Sequence, residues 1–102
     1  MPLFLAISKH APESCPMHNE KTKKAVVDLM GKLGQLTKKH GIKVVGNWTS
    51  MPEHLIVNVF DAPNMETLLK LTMEPISMNW LAYNTTETRP VMTTEEVMKI
   101  LK

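Results

Sequence analysis

The sequence predicts an α+β fold in which one antiparallel sheet of four strands is covered by helices. Three observations predict it. Apolar residues recur with a period of two near the start of the chain and again between residues 42 and 60, the pattern of half-buried strands. The period lengthens to a helical stripe over 19–40 and again from residue 65. The resulting order is strand, helix, strand, strand, helix, strand, helix, which is two split βαβ units followed by one more helix.

Each element has its own justification. Leu3, Leu5 and Ile7 alternate with Phe4, Ala6 and Ser8, giving a first strand with one strongly apolar and one milder face. Pro12 and Pro16 punctuate the stretch from His10 to His18 and make it a loop. From Asn19, a plausible N-cap, the stripe Ala25, Val26, Leu29, Met30, Leu33 and Leu36 marks a helix. Its lysines, among them Lys21, Lys23, Lys24 and Lys32, lie mostly off that stripe and form a solvated face; Lys38-Lys39-His40-Gly41 closes it with last-turn cations and a glycine.

Ile42 to Ser50 and His54 to Phe60 read as two strands joined at Met51-Pro52-Glu53, an antiparallel hairpin. Asp61-Ala-Pro-Asn64 is a turn carrying two candidate N-caps, and Met65, Leu68 and Leu69 continue it as a helix that Pro75 interrupts. Ile76 to Leu81 reads as another turn of helix. Ala82 to Val91 is a Thr-rich edge strand with Pro90 near its end, and Thr93-Thr-Glu-Glu96 is a capping box opening a last helix with Val97, Ile100 and Leu101 on its apolar side.

Right-handed crossovers turn this order into the ferredoxin-like βαββαβ sandwich with an extra C-terminal helix and strand order 4-1-3-2. With 102 residues, 43% of them hydrophobic, the chain has material for one core, so residues 1–102 are read as a single domain. The helix-facing side of the sheet is expected to carry Leu3, Leu5, Ile7, Leu55, Val57 and Val59. The other side, with Phe4, Ala6, Ile56 and Phe60, is still too apolar to face water. A second copy of the same sheet is the simplest cover, which implies a homodimer and a dimeric α/β barrel.

Composition excludes several classes of partner. A single cysteine, Cys15, rules out a disulfide within the chain and fits a reducing compartment. The formal charge of +2, with one arginine among twelve basic residues, leaves no basic footprint for nucleic acid. The apolar run Leu3 to Ile7 is too short to span a membrane and has no preceding Lys or Arg, so a cytoplasmic location is expected. No nucleophile-elbow or phosphate-cradling sequence is present.

Candidate chemistry collects at one end of the sheet. Antiparallel pairing sets the end of the first strand beside the start of the third, so His10 and His54 should approach one another, and strand parity puts both on the side expected to lie away from the helices. The loop after His10 brings Cys15, Met17 and His18 to the same end. Imidazoles with a thiolate or thioether suit copper, nickel or zinc, and Cys15-Pro-Met-His18 has a chelate-like gap; His10, Cys15, His18 and His54 are therefore the candidate metal ligands. Each also has a plain structural role, as a hydrogen-bonded strand end, a small loop thiol or the neighbour of a cap. Trp48, Asn58, Trp80 and Tyr83 are candidate walls of a ligand pocket, with packing as the plain alternative for the two tryptophans. Glu87 is expected to pair with Arg89 or a lysine. Of the nine methionines, Met17, Met73 and Met78 fall near the His10 and His54 edge; Met51 is placed with the turn residues.

The stretch His40-Gly-Ile-Lys-Val-Val-Gly-Asn-Trp48, the Ala62-Pro-Asn-Met helix start and the Glu87-Thr-Arg-Pro-Val91 strand end resemble the dimeric α/β-barrel superfamily, in particular its small uncharacterised single-domain members. That superfamily includes monooxygenases, muconolactone isomerase-like enzymes, haem-degrading proteins and a nickel-binding group, so the resemblance implies a fold and a dimer but leaves the reaction open. Three functions are in play. The first is a homodimer holding a transition metal or small ligand at the cavity mouth; the second is a monooxygenase- or isomerase-like enzyme using a histidine as general acid or base; the third is a non-catalytic dimerisation module.

Overall fold

Among the described residues, three of the four α-helices start where a side chain is available to accept their unpaired first N–H groups. In the computed structural model, which describes residues 2–102, Asn19 Oδ1 accepts from the backbone of Lys21 and Thr22 and opens α1 (Glu20–Lys39). Asn64 accepts from Thr67 N at the head of α2 (Met65–Thr72), and Thr93 from Glu96 N at the head of α4 (Thr94–Leu101). Between them α3 (Pro75–Leu81) begins on Pro75, whose missing N–H costs nothing at a first helical position. The expected extra turn over 76–81 is thus a helix of its own.

The strands are β1 (Leu3–His10), β2 (Lys43–Ser50), β3 (Leu55–Asp61) and β4 (Asn84–Val91). They form one antiparallel sheet in the order β2-β3-β1-β4, the order the sequence predicts. Ala6 stands opposite Asn58 on one side and Thr88 on the other, which fixes the register of the central pair. A bulge in β2 lies between Val44 and Gly46. The Trp48 indole lies directly over Gly46, where any Cβ would fall 2.1 Å from a ring carbon, so glycine is what lets the ring lie flat against its own strand.

The helices cover the face opposite to the one expected. Phe4, Ala6 and Phe60 pack with Ile42, Ala62, Leu68 and Leu71 in one buried cluster, and Ile56 joins Ala25, Leu29 and Trp80 in another. Leu3, Leu5, Ile7, Leu55, Val57 and Val59 lie on the other side and are only half-buried. Both faces are apolar, so hydropathy alone does not choose between them. The covered face mixes sizes, large Phe4 and Phe60 with small Ala6 and Ser8, and the small ones share a cavity with Leu29 and Trp80 from the helices. Leu, Ile and Val at every second position instead make an even surface. No helix among the described residues is long and apolar enough to cross a membrane.

Glu74, just before α3, ties that helix to the end of α1. Its Oε1 accepts from Lys39 Nζ at 2.9 Å and pairs with His40 Nε2 at 3.0 Å. These two hydrogen bonds hold the carboxyl below its ordinary value of 4.5. A depressed carboxyl contributes stability that is complete above 4.5 and lost as pH falls through the lowered value. Glu74→Gln should therefore flatten the acid limb of a stability-versus-pH curve measured by urea denaturation, with little change in the slope near neutral pH.

Candidate metal centre

Alternation along β1 sends Phe4, Ala6, Ser8 and His10 to the same side, so the strand that carries the core ends with an imidazole inside it. His10 is 6% exposed. Its backbone N–H donates to the carbonyl of His54 at 3.0 Å, which brings the hairpin turn before β3 against the end of β1. His54 itself has φ of 54°, the left-handed region that non-glycine residues rarely adopt and that histidine tolerates better than most. Held this way, its ring meets that of His10 edge-on, with centroids 5.5 Å apart and planes at 71°.

The third side chain arrives on the loop before α1. Pro12–Ser14 forms a tight turn closed by Cys15 N donating to Pro12 O, and Cys15 O then accepts from the backbone of His18 and Asn19. Asn19 adds a bond from Nδ2 to Glu13 O, so the residue that caps α1 also fixes the cysteine loop. Cys15 is 6% exposed, and its sulfur and one nitrogen each of His10 and His54 all lie within 4.8 Å of one another. An ion bound at about 2.0–2.3 Å needs such donors roughly 3.5 Å apart, a difference that small rotamer changes absorb.

What the cluster offers an ion is unpaired donor atoms. Both ring nitrogens of His10 and Nδ1 of His54 are buried with no hydrogen-bond partner among the described residues. Leaving such groups unpaired costs on the order of 1–3 kcal/mol each. Burial, and then the adjacent His54, hold His10 below its ordinary value of 6.5. The amide of Asn84, opposite His10 in the sheet, pulls the other way without reaching normal hydrogen-bond geometry; its Nδ2 is committed to Trp80 O at 2.8 Å. His10 is thus held neutral, with a lone pair free for coordination.

Of the four candidate ligands, the structure brings together His10, Cys15 and His54; His18 points to solvent and stands outside the trio. The histidine pair lies on the helix side of the sheet, against Trp80 at 5.7 Å from His10, and not on the open face as expected. A cleft of about 170 Å³ opens over the trio, lined also by Met17, Val26, Met51 and Ile56. Met51 is a residue that sequence reasoning missed. The signal lay three positions before His54, in the turn that carries both. Met73 and Met78 are exposed and do not line this cleft.

The candidate pocket residues divide. Asn58 and Trp80 line a second cavity of about 80 Å³ between sheet and helices, together with Ser8, Leu29 and Ser77. Asn58 Oδ1 accepts a short hydrogen bond from Asn47 Nδ2 on the neighbouring strand, which accounts for an amide in an apolar layer. Trp48 pairs with Val57 on the opposite face and is 59% exposed, and Tyr83 is also exposed; neither lines the cavity. Glu87 pairs with Arg89 at 2.7 Å, as expected, and both are exposed.

Fold and site together define a ferredoxin-like α+β domain with a His, Cys, His cluster at one end of its sheet. The chain belongs to the family described as a domain of unknown function, DUF3303, which matches residues 3–102. Solved structures with the same fold include protein Atu4242 from Agrobacterium tumefaciens, with 16% identity, a TM-score of 0.59 and 90% and 92% of the two chains covered. An antibiotic biosynthesis monooxygenase is similar at 11% identity and a TM-score of 0.61, covering 91% and 98%. An uncharacterised NIPSNAP domain protein from Burkholderia xenovorans is similar at 11% identity and a TM-score of 0.55, covering 91% and 94%. No curated protein matches the chain.

A residue that holds unpaired polar atoms in the interior is one the fold does not need. His10→Leu should leave the metal-free protein as stable as the wild type or more so, by on the order of 1 kcal/mol, since it removes two buried orphan nitrogens for a similar volume. Urea denaturation in the presence of a chelator measures this; a large loss of stability would show that His10 supports the fold itself.

Proposed function

We propose that this protein binds one transition-metal ion per chain through the imidazoles of His10 and His54 and the thiolate of Cys15. The observation that carries this reading is the meeting of three metal-type donors in the interior while their polar atoms lack partners. Imidazole and thiolate together suit copper, nickel or zinc, and three protein donors leave a fourth position open to water or a small ligand, the arrangement of working sites more than of closed structural ones. Titration with zinc(II) or cobalt(II) should give one ion per chain. Cys15→Ser and His54→Ala should each weaken binding at least about 100-fold, whereas His18→Ala should leave it unchanged. Affinity should weaken as pH is lowered, because protons compete with the ion for the sulfur and the ring nitrogens. Absence of stoichiometric metal, or equal binding by the ligand variants, contradicts the reading.

The protein is further proposed to be a homodimer. The support is the open sheet face, where Leu3, Leu5, Ile7, Val57 and Val59 lie beside the exposed Trp48, a surface that a two-fold copy of itself can cover. The exposed Glu87 and Arg89 pair sits beside it on β4 and suits a polar rim. Light scattering should give twice the chain mass, and Val57→Lys should give a monomer with its metal stoichiometry intact, since the donors lie on the other side of the sheet.

A second reading, an enzyme, is favoured by the cavity behind Trp80. Its wall residue Trp80 stands 5.7 Å from the His10 ring, and one solved structure of this fold is an antibiotic biosynthesis monooxygenase. In that reading a small enolisable or aromatic substrate occupies the cavity and His10 acts as general acid or base.

A further inference from the structure

We infer that the cleft over the trio is built for copper(I), with the thioethers of Met17 and Met51 lining it as soft donors for the fourth position that the trio leaves open. This rests on the metal-binding reading above and names the ion. Two observations carry it beyond that reading. The first is placement. Met17 sits on the loop before α1 and Met51 in the turn between β2 and β3, yet both line the same small cleft as His10, Cys15 and His54. They are 73% and 50% exposed, so packing does not explain them. Thiolate and thioether donors select copper(I) over the borderline divalent ions, which gain little from a thioether.

The second observation is charge. Among the described residues no carboxylate lines the cleft, and Val26 and Ile56 form its apolar walls. One thiolate exactly offsets a monovalent ion, whereas zinc(II) on the same donors leaves a net positive charge beside apolar walls, and an uncompensated charge there is costly. Binding is a simple exchange. The Cys15 S–H bond breaks and its proton goes to solvent, a copper–sulfur bond forms, and imidazole nitrogens and a thioether sulfur donate lone pairs with no change in the oxidation state of the ion.

The test compares two metals on two proteins under anaerobic conditions. Copper(I), delivered from a chelator of known affinity, and zinc(II), delivered in the same way, are titrated into the wild type and into the double variant Met17→Leu/Met51→Leu. Both side chains are exposed, so the variant should fold as the wild type does, which circular dichroism checks. The double change should weaken copper(I) binding at least about tenfold and leave zinc(II) binding within about twofold. X-ray absorption at the copper edge should show the sulfur shell shrink to the single thiolate. Zinc(II) bound with copper(I) affinity unmoved by the double change overturns this inference and spares the trio. Equal weakening of both metals overturns it too. A wild type that takes up neither ion overturns the trio and this inference together.

Discussion

The direction in which β1 points its side chains is the constraint on which the rest depends. Once Phe4 and Ala6 face the helices, the period of two leaves no choice for Ser8 and His10, and the last residue of a core strand becomes a buried imidazole. Everything near it answers that fact. The hairpin turn closes on the backbone of His10, the cysteine loop is strapped to the cap of α1, and Trp80 from α3 fills the space behind. One of these placements depends on a backbone conformation that non-glycine residues seldom adopt, the left-handed His54.

The cost is visible in the same place. Buried polar groups are almost always paired, and here three imidazole nitrogens and one amide oxygen are not. A fold selected only for stability would place an apolar side chain at residue 10. Under the proposed metal-binding reading, a cation held by these unpaired nitrogens and the thiol would repay that cost, since ligand binding to the folded state alone adds to its stability. The outer face of the sheet carries a different demand, a broad apolar surface centred on Ile7 and Val57, and the two demands are separated by the thickness of one sheet.

Much of this was legible in the sequence because the signals were local. Caps at Asn19, Asn64 and Thr93, the hairpin at Met51-Pro52-Glu53 and the strand order follow from neighbouring residues and from the handedness of crossovers. The meeting of His10 with His54 follows from antiparallel pairing, and their rings are in edge-on contact. What was not legible needed three dimensions. Hydropathy points to the wrong face of the sheet because Leu, Ile and Val outweigh Phe, Ala and Ser, whereas the face that packs under the helices is the one of mixed size with Phe4, Ala6 and Phe60. Spacing groups His18 with Cys15, but both Cys15 and Asn19 are tied down by the turn and the cap, and His18 between them is exposed. Trp48 reads as a pocket wall until the β2 register puts it opposite Val57.

The central claim, that the inward imidazole of β1 exists to hold an ion, is tested most directly by anomalous diffraction from crystals grown with copper or zinc. A single strong peak within about 2.0–2.3 Å of nitrogens of His10 and His54 and the sulfur of Cys15 is the predicted result. A peak elsewhere, with the two imidazoles hydrogen-bonded to protein or to ordered water and no ion between them, would contradict it.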